Sequence, residues 1–365
     1  MKRITLLIFC LTYLISSSSA QDYLAKSWKQ VATQMPDEWY GTAEAAEVAG
    51  NVLLAQKDIG GWAKNKPYHH HFTEGDKAEY FEAKGETGAT IDNGATTMEM
   101  RFLAKIYAAQ PDARYKDAFE KGLAYLYEAQ YDNGGWPQFY PVREGKSVHY
   151  SADITYNDNA MINVMRLLED VFKDHDGMDV LKLGDDLKKQ AKAAYDRGVD
   201  CILNTQIVVN GQPTVWCAQH DPVTLAPDNA RKYELASFSG AESVNIVDLL
   251  MDLEHPSPEI IAAVEGAIKW FNEHKLEGIR LERVTNAEGE KDLVVVEDPE
   301  AETLWARFYD LETGNPYFCD RDGIKKNTLA EIGYERRNGY GWYTNAPEKI
   351  LKAYPKWQND WVTKR

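Results

Sequence analysis

The chain has 365 residues, a formal net charge of −16 at pH 7 and four cysteines. So acidic a protein is not expected to bind nucleic acid or anionic membranes, and so few cysteines exclude a disulfide-rich scaffold. An acidic substrate stays open, because a local basic cleft or a bridging cation can override the overall charge.

The first twenty residues have the pattern of a secretory signal peptide. Lys2 and Arg3 precede a short apolar run over 4–15, and a run of small residues ends at Ala20. The apolar run is shorter than a helix that crosses a bilayer. We therefore expect cleavage after Ala20 and export, so that the protein is secreted or periplasmic.

The stretch 21–365 contains no linker rich in Pro, Ser or Gly. This continuity predicts one domain, and the absence of appended modules favours a monomer. Cys201 and Cys217 are the nearest pair of cysteines after the signal peptide, and the sequence leaves open whether they are bonded.

The predicted helices come in pairs. A helix over 41–57 ends in the motif Gln-x-x-x-Gly-Gly-Trp at Gln56–Trp62. A second helix starts near Asp92, and a third, after Pro111, ends in the same motif at Gln130–Trp136. The apolar residues of these segments recur at helical spacing.

The pairing continues in the second half of the chain. A helix follows Asn157, and another over 186–205 is followed by Gln206 in a degenerate copy of the motif. A last pair begins at Ser239 and continues over 257–274. Self-similarity at a period of roughly 75 residues is typical of stacked supersecondary units that bury a shared core.

We therefore predict an all-α fold, an α/α toroid that forms an incomplete barrel of repeated helix pairs. The first helix of each pair has fewer charged residues than the second, as expected for an inner helix that is covered on both sides. The inner helices would surround an axis, with the long loops on one rim. Strand-like runs at 292–296 and 305–309 are expected to be short β additions on that rim.

Polar side chains cluster where the inner helices begin. Asp92–Asn93 and Asn157–Asp158–Asn159 supply hard oxygen ligands of the kind that calcium prefers. Simple N-capping is the alternative explanation of each cluster. A cap uses only one Asp or Asn, so a run of three leaves side chains for another task.

Several arginines lie among aromatic residues in loops of the second half. In so acidic a chain this pattern suggests a cleft that binds anions, because guanidinium groups pair with carboxylates through two hydrogen bonds. Ordinary ion pairing with neighbouring Asp and Glu residues is the alternative. The arginines are Arg231 (followed by Lys232), Arg307, Arg321, and Arg336 with Arg337.

Two other patterns favour structural explanations. The Gly-Gly-Trp turns are expected to be structural, although a Trp or Tyr on the open rim could stack on a sugar. His69, His70 and His71 lie in a polar stretch over 64–86 with no matching ligand spacing, which predicts a solvated loop. The sequence has no Ser/His/Asp elbow and no phosphate-binding glycine loop.

Five longer segments resemble the pectate lyases of polysaccharide lyase family 10, in the same order along the chain. The resemblance covers essentially all of the chain after residue 20 and includes the final motif over 334–343. It implies a single catalytic domain with an α/α-toroid fold, in agreement with the repeats. The segments are Asn133–Pro141 (NGGWPQFYP), Ile154–Met161 (ITYNDNAM), Trp216–Tyr233 (WCAQHDPVTLAPDNARKY), Ser237–Ser243 (SFSGAES) and Trp305–Gly323 (WARFYDLETGNPYFCDRDG).

The resemblance also implies an activity. Members of this family cleave α-1,4-polygalacturonate by β-elimination, without water, and leave 4,5-unsaturated oligogalacturonides. The C5 proton is removed beside a carboxylate that is already anionic, so a calcium ion and arginines are expected to neutralise the developing charge. Calcium is accordingly the expected cofactor, and polygalacturonate is the expected partner.

The resemblance assigns roles at the reacting centre. Arg231 matches the catalytic base, and Asp158 matches the main calcium ligand. Asp92 with Asn93 matches an acidic pair that acts at the same cation, and Asp92 is also a predicted catalytic residue. Arginine normally stays protonated, so a base role requires transient deprotonation in a strongly cationic site and predicts alkaline activity.

The predicted substrate-binding residues surround this centre. Arg307 and Arg321 match the arginines that bind substrate carboxylates. Lys232, Trp136 and His220 complete the predicted set.

The alternatives to a pectate lyase are another polyuronate lyase on the same α/α-toroid fold and three functions of other classes. A terpenoid cyclase shares the Gln-x-x-x-Gly-x-Trp spacing but needs an aspartate-rich motif that the sequence lacks. An inverting glycoside hydrolase on the same fold needs two catalytic carboxylates across the cleft. Loss of Asp158 should damage a lyase or a hydrolase, whereas loss of Arg231 should abolish only a lyase. A non-catalytic sugar-binding protein would not need the base and cation positions.

Overall fold

The computed structural model describes residues 22–145 and 148–363. The predicted signal peptide over 1–20 lies outside the described residues. The α-helices are α1 (Trp28–Thr33), α2 (Ala43–Ala55), α3 (Glu74–Glu82), α4 (Thr97–Ala109), α5 (Ala113–Ala129), α6 (Ala160–Lys173), α7 (Asp185–Thr205), α8 (Glu242–Met251), α9 (Pro258–Glu273), α10 (Tyr334–Gly339) and α11 (Pro347–Gln358).

The long helices form two concentric series. Helices α4, α6 and α8 contact one another in turn, and each packs against its following partner, α5, α7 or α9. The partners also contact one another in turn, on the outside. Inner α6 buries most of its residues, whereas outer α7 keeps a long polar face in solvent. This arrangement confirms the predicted α/α toroid.

The repeated glutamine joins neighbouring units. The Nε2 of Gln56 donates to the carbonyl of Gly60 in its own turn and to the carbonyl of Ala118 on α5, both at 2.8 Å. Each copy therefore closes a turn and ties one outer helix to the next. The matching bonds to the next helix run from Gln130 to Ala194 on α7 and from Gln206 to Ala263 on α9.

The repeated tryptophan seals the end of each outer helix. Trp62 is fully buried, and its Nε1 donates to the carbonyl of Val52 on α2 at 2.8 Å. Trp305 makes the corresponding bond to α9, a copy that sequence analysis did not find. The full set of bonds is Trp62 to Val52, Trp136 to Leu126, Trp216 to Ile202 and Trp305 to Phe271.

The turn requires glycine at one position. Gly134 has φ +89°, and a Cβ on it would lie 2.0 Å from the carbonyl oxygen of Arg197. Gly60 has the same conformation, with φ +104° and a Cβ position 2.3 Å from the carbonyl oxygen of Lys121. The motif is thus a close contact between outer helices, which supports its structural explanation.

Short antiparallel strand pairs organise the rim loops. The strands are β1 (Ile154–Thr155), β2 (Val208–Val209), β3 (Gln212–Pro213), β4 (Gln219–His220), β5 (Ser237–Ser239), β6 (Ile279–Thr285), β7 (Lys291–Glu297), β8 (Trp305–Ala306), β9 (Phe308–Asp310), β10 (Phe318–Cys319), β11 (Lys325–Lys326) and β12 (Tyr343–Thr344). The pairs β1–β4, β5–β9, β8–β12 and β10–β11 hold the loops of the second half beside the starts of the inner helices, and β6–β7 is a longer hairpin.

One predicted loop is partly wrong. The polar stretch over 64–86 contains α3, which begins at a capping box between Thr73 and Asp76 and buries none of its residues. A helix without an apolar face gives no periodic signal. His69, predicted to be solvated, is instead buried and stacked on Trp28, with ring centroids 6.1 Å apart.

The structure answers two further questions. Cys201, Cys217 and Cys319 are buried and free, so the nearest pair is not bonded. Within 22–145 and 148–363, no helix has the length and apolar composition that crossing a bilayer requires.

Candidate active site

Two equivalent turns lead into the inner helices α4 and α6. The first turn, Asp92–Gly94, has Asn93 at φ 52° and ψ 27°, and the second turn, Asn157–Asn159, has Asp158 at φ 51° and ψ 29°. In each turn the first side chain is buried and the second is exposed. The two turns pack against each other. We call them the α4 turn and the α6 turn.

The capping explanation of the α6 turn is wrong. Neither Asn157 nor Asp158 bonds the first turn of α6, and Asn159, at the N-cap position, has a left-handed backbone and no capping hydrogen bond. Left-handed conformations are most accessible to Asn and Asp among residues with a side chain. The run of three therefore builds a turn that directs a carboxylate out of the helix end.

Asp158 is the exposed carboxylate of the α6 turn. Its side chain is 43% exposed, Asn157 Nδ2 donates to its Oδ2 at 3.0 Å, and Arg307 Nη2 lies 3.5 Å from its Oδ1. Partial burial raises its pKa, Arg307 lowers it, and the carboxylates of Glu242 and Asp92 raise it again, so the pKa stays above its usual value. Such a concentration of negative charge favours a bound cation.

Arg307 joins the two inner helices α6 and α8. Its Nη2 donates to Asn157 Oδ1 at 3.0 Å and to Glu242, the buried first residue of α8. Glu242 also accepts a hydrogen bond from the Ser239 hydroxyl. The guanidinium lies 4.7 Å from the ring centre of Tyr340. Burial lowers the pKa of Arg307, but Glu242 and the neighbouring Tyr340, Asp158 and Glu234 together raise it more, so this guanidinium is charged.

Arg231 is held by a second glutamate. Its Nε donates to Glu234 Oε2 at 2.7 Å and its Nη2 to Glu234 Oε1 at 2.5 Å. The hydroxyl of Tyr340 donates to the same Oε1 at 2.6 Å. Desolvation lowers the pKa of Arg231, but the bond to Glu234 and its charge raise it above the usual value.

Arg321 and Arg336 complete the group. Both bond to Glu335, and both guanidinium groups lie beside the Tyr233 ring, at 5.7 Å and 4.6 Å from its centre. Arg231 lies 4.9 Å from the same ring. We call the set the arginine–tyrosine cluster. Its members are Arg231, Arg307, Arg321, Arg336, Tyr233 and Tyr340.

Both explanations of the arginines are therefore correct in part. Each cluster arginine has a glutamate partner, as the ion-pairing alternative expected, yet the fold gathers all of them around two tyrosines. Arg337 does not join them. Its Nε and Nη2 bond to Asp292 on β7 at 2.8 Å and 2.6 Å.

The substrate-binding roles predicted for Trp136 and His220 are wrong. Trp136 is fully buried and bonded to the end of α5, so its indole cannot stack on a sugar. His220 is also fully buried; its Nδ1 donates to the carbonyl of Leu225 at 3.0 Å, and its Nε2 accepts from the amide of Cys217 at 3.1 Å. Burial lowers the pKa of His220 to about 4, so the ring is neutral and structural.

The two remaining predicted residues lie on segments already described. Lys232 is exposed next to Arg231 on the same loop. Asp92 is only 2% exposed, and its carboxylate bonds to Lys64 and to the amide of Asn93. The catalytic and metal-binding roles of Asp92 stay predictions, with its carboxylate tied inside the α4 turn.

The donor chemistry of the two turns fits calcium, but the chain alone does not complete a site. Calcium takes about six to eight oxygen ligands. Across the described ranges, no group of three or more His, Cys, Asp or Glu residues has the arrangement to hold a metal ion. Asp158 presents an exposed carboxylate and Asn93 an exposed amide, so further ligands would have to come from water and a substrate.

Comparison with known proteins decides the family. A family model described as Pectic acid lyase matches residues 56–351. This chain belongs to that family. It is therefore a polysaccharide lyase, and the cyclase, hydrolase and non-catalytic alternatives are set aside.

Solved structures agree with this assignment. The lyase is 33% identical to the family 10 polysaccharide lyase from Cellvibrio cellulosa, with a TM-score of 0.75 over 94% of this chain and 97% of that chain. A mutant of the Cellvibrio enzyme in complex with trigalacturonic acid is 34% identical, with a TM-score of 0.76 over 90% of this chain and 95% of that chain. No curated protein matches the chain.

Several residues of the candidate site were not recognised from the sequence. Glu234 follows Arg231 by three residues, a spacing that could have indicated the pair. Glu242 is the first residue of the third inner helix, α8, so it lies at the helix start, as the α4 and α6 turns do. Tyr340 gave only an aromatic signal, since its position beside three arginines depends on the segment after α10 returning to the rim.

Proposed function

We propose that this lyase cleaves α-1,4-polygalacturonate by calcium-assisted β-elimination and releases 4,5-unsaturated oligogalacturonides. The main support is the position of the open Asp158 carboxylate, 3.5 Å from Arg307 and beside the arginine–tyrosine cluster. A cleft with one open carboxylate and several arginines suits a substrate that carries a carboxylate on every sugar. The family's description and the trigalacturonic acid bound by the Cellvibrio mutant agree with this substrate.

The arginines would orient the polymer and stabilise the charge that develops. Arg321 is exposed, so a uronate carboxylate can reach it, and Arg307 faces the α6 turn. Asp158 and Asn93 would hold a calcium ion, which supplies positive charge to the substrate carboxylate when bound. Fixed positive charge beside the reacting carboxylate lowers the barrier to removal of the C5 proton.

Arg231 is the proposed base. It would take the C5 proton while the C–H electron pair forms the C4–C5 double bond and the C4–O4 bond breaks. The O4 oxygen leaves with its electron pair and takes a proton from solvent. Arg231 must first lose its own proton, which the bond to Glu234 opposes. Activity should therefore rise towards alkaline pH.

Ultraviolet absorbance of polygalacturonate tests the reaction. Wild type with calcium at alkaline pH should produce the unsaturated-uronide signal, and a chelator should remove it. Arg231→Ala should lower kcat by about 10²–10⁴-fold, the contribution of a general base. Arg337→Ala, which removes an arginine outside the cluster, is the control. New reducing ends without the absorbance would mean hydrolysis and would refute the proposal.

We also propose that the lyase is exported and that its signal peptide is cleaved after Ala20. The mature protein is proposed to be a monomer. The charged start, short apolar run and small residues before Gln21 support export. Intact mass of protein from the periplasm and the medium should correspond to a chain that begins at Gln21. A full-length chain retained in the cytoplasm would contradict export.

A further inference from the structure

Glutamates pair with the cluster arginines, but their surroundings differ. Glu335 is 59% exposed, so water and substrate can compete for its contacts with Arg321. Glu234 is only 6% exposed, and both of its oxygens are engaged. Oε1 accepts from Arg231 Nη2 and the Tyr340 hydroxyl, and Oε2 accepts from Arg231 Nε at 2.7 Å and the Arg231 amide at 3.3 Å.

We propose that Glu234 is a positioning residue that fixes the guanidinium of Arg231 in the plane required to reach the C5 proton. This inference rests on the proposed function, in which Arg231 is the base. It assigns Glu234 no contact with substrate. Glu234 acts through Arg231 and Tyr340.

The local backbone builds this contact. The amide of Glu234 donates to the carbonyl of Arg231 at 2.7 Å, and the amide of Ala230 donates to the carbonyl of Glu234 at 2.8 Å. This tight turn brings the Glu234 side chain back to its own Arg231. Tyr340, from the segment after α10, also holds the carboxylate, since its hydroxyl donates to Oε1.

The contact leaves one end of the guanidinium for substrate. Glu234 uses the Nε and Nη2 edge of Arg231, and the Arg231 side chain is 44% exposed. A free arginine would lose much more side-chain freedom on binding than one held by a two-bond fork. Preorganisation of this kind affects the chemical step, because a displacement of about 1 Å can cost about 10²-fold in rate.

Glu234 also sets the charge around Arg231. The groups that face this guanidinium are Glu234, the rings of Tyr233 and Tyr340, and the like charge of Arg321. Burial raises the pKa of Glu234, but Arg231, Tyr340 and Arg307 together lower it more, so Glu234 is an anion throughout the alkaline range. An anion keeps the proton on Arg231. Neutralising Glu234 should thus let Arg231 lose its proton at lower pH.

The experiment measures kcat and KM for polygalacturonate against pH in the full chain, together with thermal unfolding. Glu234→Ala should lower kcat by about 10²-fold and leave KM within about 3-fold. Glu234→Gln keeps one oxygen acceptor, so it should recover part of kcat. The part of the kcat profile of Glu234→Gln that rises with pH should move to lower pH by about 1–3 units, since the negative charge beside Arg231 is lost.

A matched control separates positioning from general support of the fold. Asp292→Asn weakens another two-bond arginine–carboxylate contact, to Arg337, outside the cluster. It should lower the unfolding temperature without moving kcat or the pH limb. A kcat for Glu234→Ala near wild type, or an unmoved limb for Glu234→Gln, would overturn the proposal.

Tyr340→Phe tests the positioning role of Glu234 by a second route if the Glu234 variants do not fold. This change removes the hydroxyl donor to Glu234 but preserves its charge, so kcat should fall by about 3–10-fold while the pH limb stays in place. Unchanged kcat would overturn the inference. Failure of the proposed function is distinct: wild type would then give no absorbance, or Arg231→Ala would retain it.

Discussion

The α4 turn and the α6 turn have the same backbone and different chemistry. Asn93 and Asp158 occupy the same left-handed position and point outward, whereas Asp92 and Asn157 occupy the position before it and are buried. The carboxylate is thus inside in one turn and outside in the other. The repeat determines which side chain reaches the cleft, and the order of Asp and Asn determines which turn presents a charge.

The surroundings extend this difference. Asp92 is tied to Lys64, which lies 5.4 Å from the ring centre of Phe139. Asp158 faces Arg307, which is bonded to Glu242 of the next inner helix. The α4 turn is therefore closed by its own ion pair, while the α6 turn opens towards the arginine–tyrosine cluster. We infer that the chemistry belongs to the α6 turn.

Among the changes that compare the two turns, the largest expected effect comes from Arg307. Arg307→Ala should lower kcat/KM for polygalacturonate by about 10²–10³-fold, because it removes a fixed positive charge beside the reacting carboxylate. It also leaves Glu242 buried without its partner, which should lower the free energy of unfolding by about 3–5 kcal/mol. Steady-state kinetics and urea unfolding measure the two effects.

Lys64→Ala is the matched change at the α4 turn. It removes the cation beside Asp92 and should lower kcat/KM much less than Arg307→Ala does. Equal losses from the two variants would mean that both turns contribute alike, and the distinction between them would be wrong.

The Asp92 ion pair gives the next prediction. Asp92→Asn should lower the free energy of unfolding by about 1–3 kcal/mol, because a buried charged hydrogen bond is lost. The effect on kcat should be under about 10-fold, since this carboxylate is buried and already paired with Lys64. Urea denaturation and kinetics on the same preparation measure both. A kcat loss without a stability loss would give Asp92 the catalytic role that the family resemblance predicts.

The smallest effect concerns the segment that leads into the α6 turn. Asp153 is buried, and burial with the charges of Asp228 and Asp221 raises its pKa to about 8. The folded state therefore holds this proton more firmly than the unfolded state does, and stability falls as pH rises from about 4 to 8. Asp153→Asn should raise the unfolding temperature by a few degrees at about pH 9 and hardly change it at about pH 4.

The lead-in to the α4 turn has Gly88 at the equivalent position, so no similar pH effect is expected there. Thermal unfolding across pH, monitored by circular dichroism, compares wild type with Asp153→Asn. A constant difference between the two at all pH values would show that Asp153 is not buried in its neutral form.

Much of the fold could be predicted because each repeat carries a recognisable local sequence pattern. The spacing of apolar residues located the paired helices, and the Gln-x-x-x-Gly-Gly-Trp copies gave their order. Helix α3 was missed because it has no buried face. The sequence left open whether Cys201 and Cys217 are bonded, because the distance between them depends on the packing of α7 against distant elements.

The site was predicted less completely, for reasons of burial and pairing. An aromatic residue in a turn gives no sign of its exposure, and the burial of Trp136 follows from its bond to α5. The burial of His220 was not predicted either, because its sequence context gives no sign of its exposure. The arginines were identifiable, but their gathering around Tyr233 and Tyr340 requires four separate segments of the chain to meet at the rim.

The most direct test of the account is the calcium dependence of elimination in Asp158→Asn and Asp92→Asn. We predict that Asp158→Asn raises the calcium concentration for half-maximal rate by about 10–100-fold, as loss of a metal-site residue does. Asp92→Asn should raise it by less than about 3-fold, because its carboxylate is held by Lys64. A larger increase for Asp92→Asn than for Asp158→Asn would contradict the assignment of the main calcium ligand to the α6 turn.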